Sequence, residues 1–234
     1  TGLEVDKLDP DAWMDHFHSY MKMYKEASGG LVGQHGIQYI LTDSYEAEQM
    51  TWTARMAEQF KTRKGYDLIR WLPALTGEIL ESSGKTEQFL WDWRNVIGDL
   101  FAENYDRIND IVKEYGMRGR YTEAHELGRL FVGDGMDIKM TATVPMSAIW
   151  MDNTPTSHSH SQAKMDIMES ASAAHVFGQN IAAAESFTVS GIKGRAYTYC
   201  PENLKYTADV ALSAGLNRFV FHDSAHQPLD NAQP

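Results

Sequence analysis

Cysteine is nearly absent: Cys200 is the single one in 234 residues, so no intrachain disulfide can form and the redox compartment stays open. There is also no run of about 18 apolar residues, which excludes a membrane-spanning helix. Positive charge is scarce, with 21 Lys and Arg against 32 Asp and Glu. The net charge of −11 argues against the basic face that nucleic-acid binding needs to replace phosphate counterions. No charged-then-apolar leader follows Thr1, so any signal peptide would lie upstream of it. Two nucleotide signatures also fail. Gly29, Gly30, Gly33 and Gly36 precede a strand instead of following one, and Gly84-Lys85-Thr86 has Ile79 where a phosphate loop needs glycine.

The chain does have enough apolar residues, 43%, to bury a large core. Read in order, residues 10–28 form a helix with Pro10 at its start and Trp13, Phe17, Tyr20, Met21 and Tyr24 on one face. Ile37–Leu41 is a short buried strand that breaks into the polar turn Asp43-Ser-Tyr-Glu46. A helix over 51–64 ends at Gly65, 71–75 is a packed connection, and a long helix runs from Glu87 to Tyr115. A strand over 117–122 follows. The segment 123–160 reads as irregular, with Val144–Trp150 as one further short strand inside it and His158 and His160 in a surface loop. Helices over 163–177 and 201–214 alternate with strands over 181–185 and 217–221. Five strand–helix alternations predict an α/β chain with a parallel sheet and crossover helices. Five units do not close a barrel, and open outer edges are a hazard. The expectation is therefore part of a (β/α)8 TIM-type barrel, its later five-eighths, unable to fold alone.

Polar groups gather where these strands end, the place where such barrels keep their chemistry. Asp43 and Glu46 sit in one turn; either can be a general acid or base, and Asp43 is equally a turn former. Glu123, His125 and Glu126 follow the next strand and suit sugar binding, proton transfer or a hard cation. Glu185 is the sharpest case, a lone charge behind Ile181-Ala-Ala-Ala, where an unpaired carboxylate is expensive. His222 and His226 have the spacing of a helical zinc pair but follow a strand and lack the accompanying Glu, so hydrogen bonding to a hydroxyl suits them better. No Gly-x-Ser-x-Gly is present. What survives is paired carboxylates among aromatics and histidines, the equipment for cleaving glycosidic bonds: one acid protonates the leaving oxygen, while the other carboxylate activates water or attacks the sugar. A carbohydrate-binding protein without turnover is the reading from another class.

Several motifs together resemble glycoside hydrolase family 106, the α-L-rhamnosidases. They are Asp43-Ser-Tyr-Glu46 with Thr51-Trp-Thr53, Lys64-Gly-Tyr-Asp67 with Leu72-Pro-Ala-Leu-Thr-Gly77, and Phe89-Leu-Trp-Asp92. Tyr121-Thr-Glu-Ala-His-Glu126, Val144-Pro-Met146 with Trp150, Ala173-Ala-His175, Ala183-Ala-Glu-Ser186 and His226-Gln-Pro228 extend the resemblance over nearly the whole chain. It implies that residues 1–234 are a partial catalytic barrel, about strands 4–8 with their helices, in a longer multidomain protein that supplies the missing N-terminal and C-terminal parts. It implies an exported enzyme, periplasmic or secreted, that releases α-L-rhamnose from polysaccharides or glycosides by inversion with calcium. Glu46 and Glu185 would be the catalytic carboxylates and Glu126 a metal ligand. Asp43, Trp52, Glu123, His125, Trp150, His222 and His226 would bind substrate, Trp52 and Trp150 by stacking. One position departs: members often carry a Glu two residues before the tryptophan, where this chain has Ala148, and Glu123 or Glu126 would then stand in.

Overall fold

The computed structural model describes residues 4–47, 50–124, 131, 133–151, 158–189 and 199–222. Helix α1 (Pro10–Ala27) begins where the Asp9 side chain accepts the Asp11 N–H, with proline at the position that needs no donor. Trp13, Phe17 and Met21, four residues apart, bury one stripe of it, while Tyr20 and Tyr24, expected on that face, turn their paired rings to solvent. Strand β1 (Tyr39–Thr42) follows, and then α2 (Met56–Lys64), closed by Gly65 in the left-handed region. The connection expected at 71–75 is a 3-10 helix over Ile69–Thr76. Helix α3 (Ser83–Glu114) starts four residues before the predicted point because Ser82 caps it, accepting the Lys85 N–H. Its 32 residues make roughly 48 Å of helix. Phe89, Trp93, Val96, Leu100 and Ile111 run down its buried side, and each contributes about 1.5–3 kcal/mol on burial.

Strand β2 (Gly119–Glu123), helix α4 (Gly135–Met140), strand β3 (Val144–Ile149), helix α5 (His158–Phe177), strand β4 (Ala183–Ser186), helix α6 (Pro201–Ser213) and strand β5 (Arg218–Phe221) follow among the described residues. Within 123–160, expected to be irregular, the described residues hold regular elements. They are α4, whose six residues are too few to display a period, and β3, the short strand expected at Val144–Trp150. His158 and His160 open α5 instead of lying in a loop; a Ser- and His-rich first turn has no apolar periodicity to announce a helix.

All five strands are parallel, and they lie side by side in chain order. A doubly wound sheet would reverse that order at a switch point; an unreversed sequence of this kind is a half-barrel. The pairings Leu41 with Tyr121, Glu123 with Met146, Met146 with Ala183 and Glu185 with Val220 place these residues on one face. Its floor is Val144, Met146 and Ala183 packed with Tyr121 and Val220. The opposite face carries Ile149 and Ala184 under Ile167 of α5 and Ala211 of α6. At the β1 edge the floor is open, with Leu41 45% exposed.

Candidate active site

The polar groups all stand at the C-terminal ends of the strands. Asp43 follows β1, Glu123 ends β2, Trp150 follows β3, Glu185 is the third residue of β4 and His222 follows β5. Strand alternation turns Glu123 and Glu185 to the inner face, the same side as Leu41 and, two residues on, Asp43. One carboxylate oxygen from each of Asp43, Glu123 and Glu185 lies within 4.8 Å of the others. Burial differs sharply within this trio: Asp43 is exposed, while Glu185 is 7% and Glu123 0% exposed.

Glu123 is the electrostatic centre. Among the described residues neither of its oxygens has a hydrogen-bond partner. Burial, then the neighbouring carboxylates of Asp166, Asp43 and Glu185, push its carboxyl up to about 9, with Lys139 pulling the other way. Such a group either keeps a proton or meets a cation. The donor set fits a hard cation. Three carboxylates converge from three strands, with unsatisfied oxygens and no sulfur or nitrogen among them.

Glu185 is held differently. The Trp150 indole N–H donates to its Oε1 at 2.8 Å, and the Thr188 hydroxyl lies 3.5 Å from the same oxygen. His222 Nδ1 sits 2.7 Å from the Thr188 hydroxyl and 3.7 Å from Glu185 Oε1. Trp150 thus anchors a carboxylate as well as exposing part of its ring, and His222 stands against Glu185. Just beyond Glu185, Phe187 has φ of 71°, a left-handed conformation that a bulky residue avoids. It is kept there by its N–H on the Ile149 carbonyl at 2.9 Å and by ring contacts with Phe219 and Phe221. Strain of this kind collects at functional sites.

Glu46 lies outside the trio. The buried Tyr45 pins its turn, its N–H on the Ala124 carbonyl at 3.2 Å and its ring against Phe101. The Ser44 hydroxyl donates to Glu46 Oε1 at 2.9 Å. Asp43 and Glu46 together line a cleft of about 360 Å³ with Glu4, Lys7, Trp13 and Tyr105, within the size range of small-ligand sites. Trp52 is 47% exposed and packs its ring on Trp93. His125, Glu126 and His226 lie outside the described residues.

Sequence reasoning missed Thr188, Lys139 and Asp166. Asp166 had a faint signal, an acid between Met165 and Ile167 in an otherwise apolar stretch of helix; buried in the structure, it accepts the Ala148 N–H at 3.0 Å.

The whole chain, residues 1–234, matches the α-L-rhamnosidase family, glycoside hydrolase family 106. A rhamnosidase from Novosphingobium sp. PP1Y, of solved structure, is 39% identical and superposes with a TM-score of 0.88 over 98% of this chain and 22% of that one. A Formosa agariphila protein named "Putative beta-glucuronidase" is 35% identical over 232 residues, 99% of this chain and 18% of its own length. The chain thus spans about a fifth of the length of these relatives. With the family matched from first residue to last and the half-barrel superposing on a rhamnosidase, the chain belongs to the α-L-rhamnosidase family.

Proposed function

We propose that these residues are the later part of a catalytic (β/α)8 barrel, β1–β5 serving as strands four to eight, in a longer multidomain glycoside hydrolase working outside the cytoplasm. That protein releases terminal α-L-rhamnosyl groups from polysaccharides or glycosides with inversion. One observation carries the reading: Asp43, Glu123 and Glu185 converge from three successive strands at the catalytic end of the sheet, with Glu46 in the adjoining cleft. The family match supplies the sugar, and the open sheet edges support the missing strands.

In this reading Glu46, the exposed carboxyl, donates a proton to the leaving oxygen. Glu185, its carboxylate held by Trp150, takes a proton from the attacking water. Inversion requires these two carboxyl groups about 6.5–9.5 Å apart, and about 5–5.5 Å would mean retention. Asp43, Glu123 and Glu185 would hold calcium, whose charge would offset the crowded carboxylates and orient sugar hydroxyls. His222, against Thr188, keeps Glu185 in place from the β5 side.

The name of the Formosa relative favours a second reading, cleavage of a β-glucuronide. The test offers the full-length protein aryl α-L-rhamnoside, β-glucuronide and galactoside, each with and without a chelator. Release from the rhamnoside alone, abolished by chelation and restored by calcium, is the expected result. Release from the glucuronide alone transfers the site to the second reading. A folded protein silent on all three is a carbohydrate-binding protein, and the enzyme reading falls.

A further inference from the structure

Behind the trio lies a buried ionic group that the proposed reaction does not use. Lys139 of α4 is fully buried, with its ammonium 2.8 Å from Glu169 Oε1, 2.9 Å from the Ser170 hydroxyl and 3.5 Å from Asp166 Oδ1. Asp166, 1% exposed on α5, turns its other oxygen to the backbone of β3 and accepts the Ala148 N–H at 3.0 Å.

The sheet explains why a side chain is needed there. Strand β2 pairs with β3 only as far as Glu123 and Met146, whereas β4 follows β3 up to Ile149 and Ser186. Past Met146, no strand among the described residues pairs with the β2 side of β3. Ile149, next to Ala148, bonds towards β4, its carbonyl accepting the Phe187 N–H at 2.9 Å. Successive residues of a strand bond to opposite sides, so the Ala148 N–H points to the side where β2 has ended. Asp166 fills that gap, and two residues later Trp150 leaves β3 to hold Glu185 at 2.8 Å.

We infer that Asp166 is a positioning residue for Glu185: its bond to the Ala148 N–H fixes the β2-facing side of the end of β3, whose other side is held by the Phe187 and Thr188 backbone, and with it the Trp150 indole that orients the Glu185 carboxylate. Lys139 stands 3.5 Å from Asp166 Oδ1, a cationic partner in a place where an unpaired carboxylate is costly to bury. A charge-assisted bond of this kind is about twice as strong as a neutral one, which suits a strand end that a neighbouring strand has left. The inference rests on the proposed role of Glu185, and its test separates the two.

In the full-length protein, Asp166→Ala should lower kcat about 100-fold, the scale of a 1 Å misplacement at a reacting group, with KM little changed. Trp150→Phe should cost a similar factor, and the double variant no more than either alone, because both act on one carboxylate. Asp166→Asn, whose amide oxygen still accepts the Ala148 N–H, should restore most of the rate. Crystal structures of the variants supply a readout free of activity. The 2.8 Å contact between Trp150 Nε1 and Glu185 Oε1 should open beyond 3.5 Å in Asp166→Ala and persist in Asp166→Asn. If Asp166→Ala does not fold, Lys139→Met with Asp166→Leu removes both charges together and should release Trp150 in the same way. Multiplied losses in the double variant, or an intact Trp150–Glu185 contact without Asp166, would overturn the inference. A wild-type protein silent on every glycoside would sink the enzyme reading, while the crystallographic distance would still decide this one.

Discussion

Glu123 carries two buried oxygens that no described group bonds, and its carboxyl is pushed up to about 9. A pKa raised above its unfolded value of 4.5 makes the folded chain the better proton binder. Its stabilising effect is therefore complete below about pH 4.5 and is lost as pH rises towards about 9. In the presence of a chelator the melting temperature should fall across that window. Glu123→Gln should flatten the fall, and added calcium should flatten it in the wild type; calorimetry over a pH series measures both. A slope that neither change touches would remove Glu123 from the cation site. The two proposed catalytic carboxyls separate by leaving group. Glu46→Gln should lower kcat about 10²–10⁴-fold on alkyl rhamnosides yet spare dinitrophenyl rhamnoside, whose leaving group needs no proton. Glu185→Gln should lower both alike. Equal losses for Glu46→Gln on the two substrates would take the acid role from it. The placement of Glu185 was legible in the sequence: it stood out because three alanines make poor company for a charge, and it lies buried on β4. That Asp43 and Glu123 would meet it was not legible, since strand register alone brings them together.

Among the elements, β2 depends on its first residue. A Cβ at Gly119 would meet the Thr143 hydroxyl at 2.0 Å, so the side chain of the residue entering β3 occupies the space that glycine leaves. Gly119→Ala should destabilise by about 1–3 kcal/mol, as overpacking does, seen as a lower melting temperature. An unchanged value would mean that the turn before β3 yields freely. All five strands were readable from short apolar runs bounded by glycine and proline, and so were most of the helices. The failures have physical reasons. Helix α4 is six residues with Asp134 capping it, too short for a period, and the start of α3 depends on Ser82 accepting one N–H. Helix α5 opens on Ser and His, residues without an apolar stripe. Local patterns register burial, whereas these boundaries are set by single hydrogen bonds.

At the scale of the molecule, the sheet formed by the described residues has two edges and an inner face open at Leu41 and Tyr39. Produced by itself, the 234-residue chain should self-associate, because unpaired edges and exposed apolar floor invite strand addition. The full-length protein should sediment as a defined species. A monodisperse, folded isolated chain would refute the missing-strand reading. The unreversed strand order also has a consequence in time. Roughly 140 residues separate Asp43 from Glu185, so at ribosomal speed the first carboxylate emerges on the order of ten seconds before the last. If strands dock as they emerge, the nascent sheet should grow one neighbour at a time, and the crowding of the three acids should come only with the arrival of β4. Docking of β4 is thus the step that the repulsion among these carboxylates opposes.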